Sequence, residues 1–166
     1  MYETIIIGGG PAGTAAAVYA ARKQLKTLLV AEEFGGQSAV SDEIYNWIGD
    51  KAISGSDLAK KFEEHVRDYE GEFLTIVEGE RVIDIEKKDD DHFAMKTNKD
   101  NAFESETVLI ATGSHRRKLT VPGAEKFENK GVVYCASCDG PLFTDMDVVV
   151  IGGGNAGFES AAQLLA

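Results

Sequence analysis

Two glycine-rich turns constrain the fold of this chain more than any other feature of its sequence. Each turn, IIIGGGPAGTAAA near the start and VVIGGGNAGFESAA near the end, joins a β-branched run to an alanine-rich segment with helical spacing. In G-x-G-x-x-G the first glycine allows the tight turn, the second lets backbone approach a pyrophosphate, and the third lets the helix pack close to the strand. A single match is weak, but two in this context predict two dinucleotide sites, at Gly8, Gly10, Gly13, Gly152, Gly154 and Gly157.

The second predicted strand, in KTLLVAEE, ends in two acids, Glu32 and Glu33. A dinucleotide-binding unit places an acid about 20 residues beyond its glycines, where the carboxylate binds a ribose hydroxyl. We therefore expect one of these acids to bind the ribose of the first dinucleotide. The second turn is followed by no acid at that spacing before Ala166.

Hydrophobic periodicity and turn residues predict the remaining elements. A loop-like segment at 34–54 precedes a helix whose expected N-cap is Ser56, and the acidic run 89–91 is interpreted as a solvated hairpin turn. In chain order we predict strand 3–7, helix 11–24, strand 26–33, a helix within 54–70, strands 73–77, 80–87, 92–97 and 102–106, a buried strand in TVLIATG (107–113), strand 147–151 and a helix from 155 to the end.

Charge and composition exclude several classes of function. Acids outnumber bases by 28 to 17, for a net charge of −11, and no block of basic residues forms a phosphate-binding face. We therefore expect no nucleic-acid partner and no binding to an anionic membrane. The start shows no signal-peptide pattern, and no stretch approaches the roughly 20 apolar residues of a membrane span, so we expect a cytoplasmic protein. A permanent structural disulfide is rare in that compartment.

Both cysteines lie in one Cys-x-x-Cys segment, Cys135-Ala-Ser-Cys138. Half a zinc site, two core cysteines and a redox pair are the three hypotheses. A structural zinc site needs four ligands, and the histidines His65, His92 and His115 have no paired spacing, so we favour a redox pair and expect no metal. Two dinucleotide sites beside such a pair indicate an electron relay, in which a flavin passes electrons from an exchanging hydride donor to the thiols.

The order of motifs along the chain resembles that of low-molecular-weight thioredoxin reductases. The matching segments are GGGPAG (8–13), FGGQ (34–37), YNWIGD (45–50), ATG (111–113), CASCDGPLF (135–143) and GGGNAGFE (152–159). They are equally similar to the flavoprotein core of the alkyl hydroperoxide reductase F subunit, although the start directly at strand one favours the shorter reductase layout. The resemblance implies an α/β fold with a Rossmann-like FAD-binding domain (1–113) carrying an inserted antiparallel β-meander. The start of a second Rossmann-like NAD(P)H domain, which holds the redox disulfide, would follow at 114–166.

The resemblance also implies roles for individual residues. FAD would occupy the first glycine turn and NADPH the second, Cys135 and Cys138 would form the redox disulfide, and Asp139 would manage the thiol proton. Besides the glycines named above, the implied FAD contacts are Ala12, Glu32, Glu33, Gln37, Asn46, Val82, Ala111 and Gly113, and the implied NADPH contacts are Asn155 and Ala156.

Three of these neighbourhoods have a simpler interpretation. Asp139 precedes Pro141 and can cap the following helix, which does not exclude proton transfer. The basic run 115–117 resembles the motif this family uses for a 2′-phosphate, but its place directly after ATG favours a hinge or surface role. Trp47 is expected to pack within its loop, which leaves Asn46 as the better flavin contact.

The implied activity is that of an NADPH-dependent thioredoxin-disulfide reductase. Electrons would pass from NADPH through FAD to the cysteine pair and on to thioredoxin, in a cytoplasmic homodimer. The alternatives are a flavoprotein like the alkyl hydroperoxide reductase F subunit, which would reduce a peroxiredoxin, and a chain without turnover. Since only one strand and one helix of the second nucleotide unit precede Ala166, we expect the 166-residue chain to be incomplete and inactive alone.

Overall fold

A computed structural model describes residues 1–88, 92–114 and 117–165 of the chain. The chain divides into two compact units, Met1–His115 and Arg116–Ala166, and each is described by itself. The acidic run 89–91 and two residues of the basic run 115–117 lie outside the described residues, so the structure does not bear on those two predictions.

The first unit is built on a six-stranded mixed sheet with the strand order β3-β2-β1-β6-β5-β4. Strands β1, β2, β3 and β6 run parallel to their neighbours in that group, whereas β4, β5 and β6 form an antiparallel meander. The predicted α/β class is therefore confirmed. The elements are β1 (Tyr2–Gly9), α1 (Pro11–Arg22), β2 (Thr27–Phe34), a 3₁₀ turn (Gly36–Val40), α2 (Gly55–Arg67), β3 (Leu74–Glu78), β4 (Val82–Lys87), β5 (Phe93–Thr97) and β6 (Ala102–Ile110).

The central strands β1 and β2 are covered on both faces, which is why they consist of nearly continuous apolar runs. On one face, Ile6 and Leu29 pack against the alanines of α1, whose small side chains let the helix approach the sheet. On the other face, Met95 of the meander packs over Ile5 and Leu28. The meander thus replaces the second layer of helices that a parallel sheet otherwise needs.

Strand β6 corrects the prediction of two separate strands at 102–106 and 107–113. It is one strand whose first half pairs antiparallel with β5 and whose second half pairs parallel with β1, and the buried Ser105 belongs to both pairings. The second half is also more open than predicted, because Leu109 and Ile110 are 44% and 66% exposed. Beyond Ser105, the described residues pair with β6 only from the β1 side, which leaves its other edge uncovered.

Two helix boundaries differ from the prediction for local reasons. The N-cap of α2 is Ser54 rather than Ser56, because the Ser54 hydroxyl accepts the amide N–H of Asp57 at 3.1 Å. Helix α1 ends at Arg22, and Gln24 adopts the left-handed conformation (φ 61°) that terminates it.

The second unit contains α3 (Ala124–Phe127), α4 (Ala136–Asp139), a 3₁₀ turn (Gly140–Phe143) and α5 (Asn155–Leu164). The strand predicted at 147–151 is absent: the segment has no ladder partner among the described residues, and Val149 and Ile151 are 84% and 71% exposed. A β-branched run favours extended backbone, but a strand exists only where a neighbour accepts and donates its backbone hydrogen bonds.

Candidate functional site

The first glycine turn (8–13) is held in shape by two glycines that pack against backbone. Gly8 has φ 119°, and a Cβ there would lie 2.4 Å from the carbonyl oxygen of Ala111. A Cβ on Gly13 would lie 1.8 Å from the carbonyl oxygen of Gly8. Helix α1 can therefore start directly against the end of β1 only because both positions lack a side chain.

Gly10 differs from these two glycines, because nothing in the fold requires it. Its backbone (φ −76°, ψ −178°) is open to any residue, and a Cβ would meet only the Cα of Gly36, at an ordinary 3.9 Å. The space that a side chain would fill is therefore left open beside the start of a helix. We call this open space at the glycine turn 8–13 the first cradle. Such a space is expected where a pyrophosphate approaches the backbone, so the first turn fits a dinucleotide.

The start of α1 offers amide N–H groups and a partial positive charge to this cradle. Its N-cap, Gly10, supplies no side-chain cap, its first turn contains no acid, and Pro11 stands at the first helical position. Thr14 is buried, and its hydroxyl donates to the carbonyl oxygen of Gly10 at 3.0 Å. Ala12, one of the predicted contacts, is exposed at this end of the helix.

The end of β2 adjoins the cradle. Phe34 pairs with Gly9, and the amide of Gly35 donates to the carbonyl oxygen of Gly9 at 3.0 Å. The acids Glu32 and Glu33 just before them are exposed, as binding to a ribose requires. Two further predicted contacts, Gln37 and Asn46, are exposed in the segment that follows β2.

An apolar groove of about 280 Å³ opens at the carboxyl ends of β1 and β6. Val82 forms one wall, and Ile7, Ile110 and Thr112 form part of the other. The predicted contacts Ala111 and Gly113 flank Thr112, and Ala111 also touches the first glycine turn. Ligands of parallel α/β sheets bind at this edge, and the first glycine turn, Val82 and Ala111 lie at it.

The second glycine turn (152–157) repeats the geometry of the first. Gly152 has φ 132°, and a Cβ on Gly157 would lie 2.3 Å from the carbonyl oxygen of Gly152. A Cβ on Gly154 would meet nothing within 4 Å. Helix α5 follows without a side-chain cap or an acid in its first turn, and Asn155 and Ala156 lie exposed at its start. This turn therefore offers the same kind of cradle.

The two cysteines are bonded to each other around the short helix α4. Cys135 is partly buried and its sulfur accepts the amide N–H of Cys138 at 3.2 Å, whereas Cys138 is exposed. In this state neither sulfur is a thiolate that could bind zinc. Cys138 is therefore the more exposed residue of the pair.

Asp139 follows the disulfide directly and is partly buried. It precedes the 3₁₀ turn Gly140–Phe143, but its side chain makes no capping hydrogen bond, so the simpler alternative of a capping residue is not supported. Trp47 packs edge-on against Phe62 of α2, with ring centroids 5.2 Å apart, in agreement with the predicted packing role.

A buried carboxylate, Glu80, was missed by the sequence interpretation. It lies between β3 and β4, 8% exposed, and both of its oxygens accept hydrogen bonds. In the sequence Glu80 stands in the run EGER among many other acids, so no local pattern distinguishes it from solvated neighbours.

Comparison with known proteins gives a consistent result. Residues 2–166 match the family model described as pyridine nucleotide-disulphide oxidoreductase. The chain is 45% identical over 163 residues to an NADH dehydrogenase of Bacillus subtilis and 46% identical over 165 residues to the alkyl hydroperoxide reductase F subunit of Staphylococcus aureus. Its structure superposes on the thioredoxin reductase of Streptococcus pyogenes with a TM-score of 0.83 at 40% identity, and on that of Giardia duodenalis with 0.85 at 30%.

These matches cover nearly all of this chain but only part of each relative. The chain spans 31% of the two curated relatives and 52% of the two solved structures, while 98–99% of its own residues are matched. In the part of the chain that the structure describes, no helix is long and apolar enough to cross a membrane.

Proposed function

Because the chain belongs to the pyridine nucleotide-disulphide oxidoreductase family, we propose that it serves a flavoprotein reaction in which electrons pass from a pyridine nucleotide to the disulfide Cys135–Cys138. The observation that carries the proposal is the pair of open second glycines, Gly10 and Gly154, each at the start of an uncapped helix. Two dinucleotide cradles and one accessible disulfide are the parts that such a relay needs.

We assign FAD to the first cradle and the nucleotide donor to the second. The amides at the start of α1 would hold the FAD pyrophosphate, Glu32 or Glu33 would accept a ribose hydroxyl, and Val82 would border the adenosine half. When bound, FAD would supply the ability to accept a hydride from the nucleotide and pass two electrons to a disulfide.

The disulfide would take up two electrons and two protons and become two thiols. The amide of Cys138, which already contacts the sulfur of Cys135, would favour a thiolate at that position while the bond opens. We assign to Asp139 the transfer of a proton to or from the pair, because its carboxylate is not engaged in capping. We assign Cys138, which adjoins Asp139 and is the more exposed residue of the pair, to the side from which the electrons arrive.

Thioredoxin is the first candidate for the electron acceptor, as the names of the superposed thioredoxin reductases suggest. We propose NADPH as its donor and a cytoplasmic homodimer as its form, which are what the motif resemblance implies. The names of the curated relatives favour a second candidate, with NADH as the donor and a peroxiredoxin as the acceptor. The ratio of kcat/KM for NADPH and NADH, measured with each acceptor in turn, separates the two. Size-exclusion chromatography with light scattering tests the homodimer.

Flavin binding is the direct test of the proposal. The 166-residue chain and a version extended by about 140 residues, roughly another domain's length, are each titrated with FAD. From the extended version we expect quenching of flavin fluorescence and a visible flavin spectrum that NADPH or NADH bleaches, and from the 166-residue chain weaker binding without bleaching. An extended version that stays colourless and cannot be reconstituted with FAD would contradict the first assignment. An extended version that binds FAD but is never bleached by either nucleotide supports the alternative without turnover.

The redox role of the cysteines has its own test. A disulfide that delivers electrons to thioredoxin should have a potential near that of thioredoxin, about −270 mV, because a 30 mV mismatch corresponds to about 1.4 kcal/mol. A thiol titration that places the pair more than about 100 mV above its acceptor contradicts the relay. Cys138→Ser and Cys135→Ser, compared for a thiolate-to-flavin absorbance band, decide which sulfur faces the flavin.

A further inference from the structure

Glu80 links two turns of the first unit, 79–81 and 98–101, through hydrogen bonds to Thr97 and Asn101, and we call this set of contacts the clasp. One of its oxygens accepts the hydroxyl of Thr97 at 2.7 Å, and the other accepts the side-chain amide of Asn101 at 2.7 Å. Thr97 is fully buried, and the hairpin turn between β5 and β6 lies between these two donors. A carboxylate withdrawn from water is costly unless its oxygens are bonded, and here both are.

The backbone next to Glu80 is tied to the same hairpin turn. The amide of Arg81 donates to the side-chain oxygen of Asn98 at 2.8 Å, and the amide of Asn98 donates to the carbonyl oxygen of Arg81 at 2.9 Å. The ammonium of Lys99 lies close to Gly79. The turn 79–81 is therefore tied to the hairpin at both Glu80 and Arg81.

The clasp lies at the edge of the sheet where the first cradle opens. Glu78, the last residue of β3, pairs with Ala31, so the turn that follows it stands beside the end of β2 and its two acids. Val82, the first residue after the turn, is a wall of the apolar groove at the carboxyl ends of β1 and β6. An acid at the end of β2 binds the ribose of the adenosine half in dinucleotide sites.

We propose that Glu80 is a positioning residue that fixes the backbone at Val82 and so shapes the adenosine side of the FAD site. This inference rests on the assignment of FAD to the first cradle. Without the carboxylate, the hydroxyl of Thr97 is left buried without this acceptor, and the turn 79–81 loses its link to the hairpin.

The test compares FAD with FMN, which lacks the adenosine half. Fluorescence titrations are made with the wild type, Glu80→Ala, the near-isosteric Glu80→Gln and Glu104→Ala, which removes an exposed carboxylate from the same sheet. We expect Glu80→Ala to weaken FAD binding about tenfold, the equivalent of one charged hydrogen bond, with FMN binding unchanged. Glu80→Gln should recover most of the FAD affinity, because its amide group can bond both partners, and Glu104→Ala should resemble the wild type.

Amide exchange at Val82 and Ile83 provides a measurement independent of flavin, and we expect both amides to exchange faster in Glu80→Ala. Unchanged FAD affinity in Glu80→Ala, or an equal loss for FAD and FMN, overturns the proposal and leaves Glu80 a purely structural residue. A wild-type chain that binds neither flavin contradicts the proposed function instead. In that event unchanged exchange at Val82 still overturns the clasp, and faster exchange supports it.

Discussion

At the scale of single residues, the two glycine turns separate positions that the fold needs from positions that only a ligand explains. A Cβ at Gly13 or Gly157 would run into a carbonyl oxygen of its own turn. A Cβ at Gly10 or Gly154 would enter open space. Glycine therefore occurs in this motif for two different physical reasons, close packing within the turn and space for a ligand, and mutations can distinguish them.

We predict that Gly10→Val folds like the wild type but loses FAD, whereas Gly13→Ala destabilises the first unit. Valine at position 10 occupies the space for a pyrophosphate, and its Cβ makes only an ordinary van der Waals contact of 3.9 Å with the Cα of Gly36. Alanine at position 13 places its Cβ 1.8 Å from the carbonyl oxygen of Gly8. Thermal unfolding and FAD titration of both variants check this, and normal FAD affinity in folded Gly10→Val would contradict it.

Glu80 should make the first unit sensitive to acid. The hydroxyl of Thr97, the amide of Asn101 and the charge of Lys99 lower the pKa of its carboxyl from the ordinary value of 4.5. A carboxyl whose pKa is lower in the folded state stabilises the fold above its unfolded pKa, and this contribution is lost as the pH falls through the folded pKa. We expect the Tm advantage of the wild type over Glu80→Gln to be complete at pH 6 and to shrink below about pH 4.5. A Tm difference that is constant from pH 6 to pH 3 would contradict this, and Glu104→Gln controls for the loss of one negative charge.

At the scale of elements, the sequence predicted the strands and helices that follow from a local hydrophobic pattern. It failed for strands whose formation depends on pairing with a neighbouring strand. Strands β1 and β2 and helix α1 carry strong apolar periodicity, and their existence was predicted with boundaries that shift by at most a few residues. The merging of two predicted strands into β6 depends on which neighbours its two halves find. The valines at 148–150 favour extended backbone equally well, but no strand in the described part of the chain pairs with them.

The candidate site shows the same division. The glycine turns and the cysteine pair were predictable because close approach and redox chemistry restrict those residue types. The clasp was not, since its members are contributed by two turns that meet only through the meander: Glu80 and Arg81 from one, and Thr97, Asn98 and Asn101 from the other.

The N-cap of α2 gives a prediction at this scale. Ser54→Ala removes the acceptor of the Asp57 amide and should lower the free energy of unfolding by about 1 kcal/mol. The change should be visible in Trp47 fluorescence during denaturant unfolding, because the indole packs against Phe62 of the same helix. Ser56→Ala is the matched control: its exposed hydroxyl bonds the Ser54 hydroxyl at 3.1 Å rather than a helix amide, so the change should alter stability by less than about 0.5 kcal/mol. A larger effect from Ser56→Ala would restore it as the cap.

At the scale of the whole molecule, the two units differ in how much apolar surface they bury. The buried hydrophobic residues of the described chain lie in the first unit, apart from Ala124. In the second unit, several large apolar side chains are exposed: Leu142, Met146, Val149, Ile151 and Phe158. Burial of apolar surface is the main source of stability, so the two units should not be equally stable.

We therefore predict that the second unit opens before the first unit unfolds. Amide exchange should be fast at 148–151, where no backbone ladder protects the N–H groups, and slowest in β1 and β2, where exchange requires global unfolding. Trp47, the only tryptophan of the chain, lies in the first unit and reports its unfolding, so its fluorescence should change only at higher denaturant than the loss of amide protection in α5. The amides of Ile5–Ile7 serve as the internal reference, because their side chains are buried and their strand is paired on both sides. Equal protection of 148–151 and 5–7, or one transition shared by Trp47 and α5, would show that the exposed valines are not the weak part of this fold.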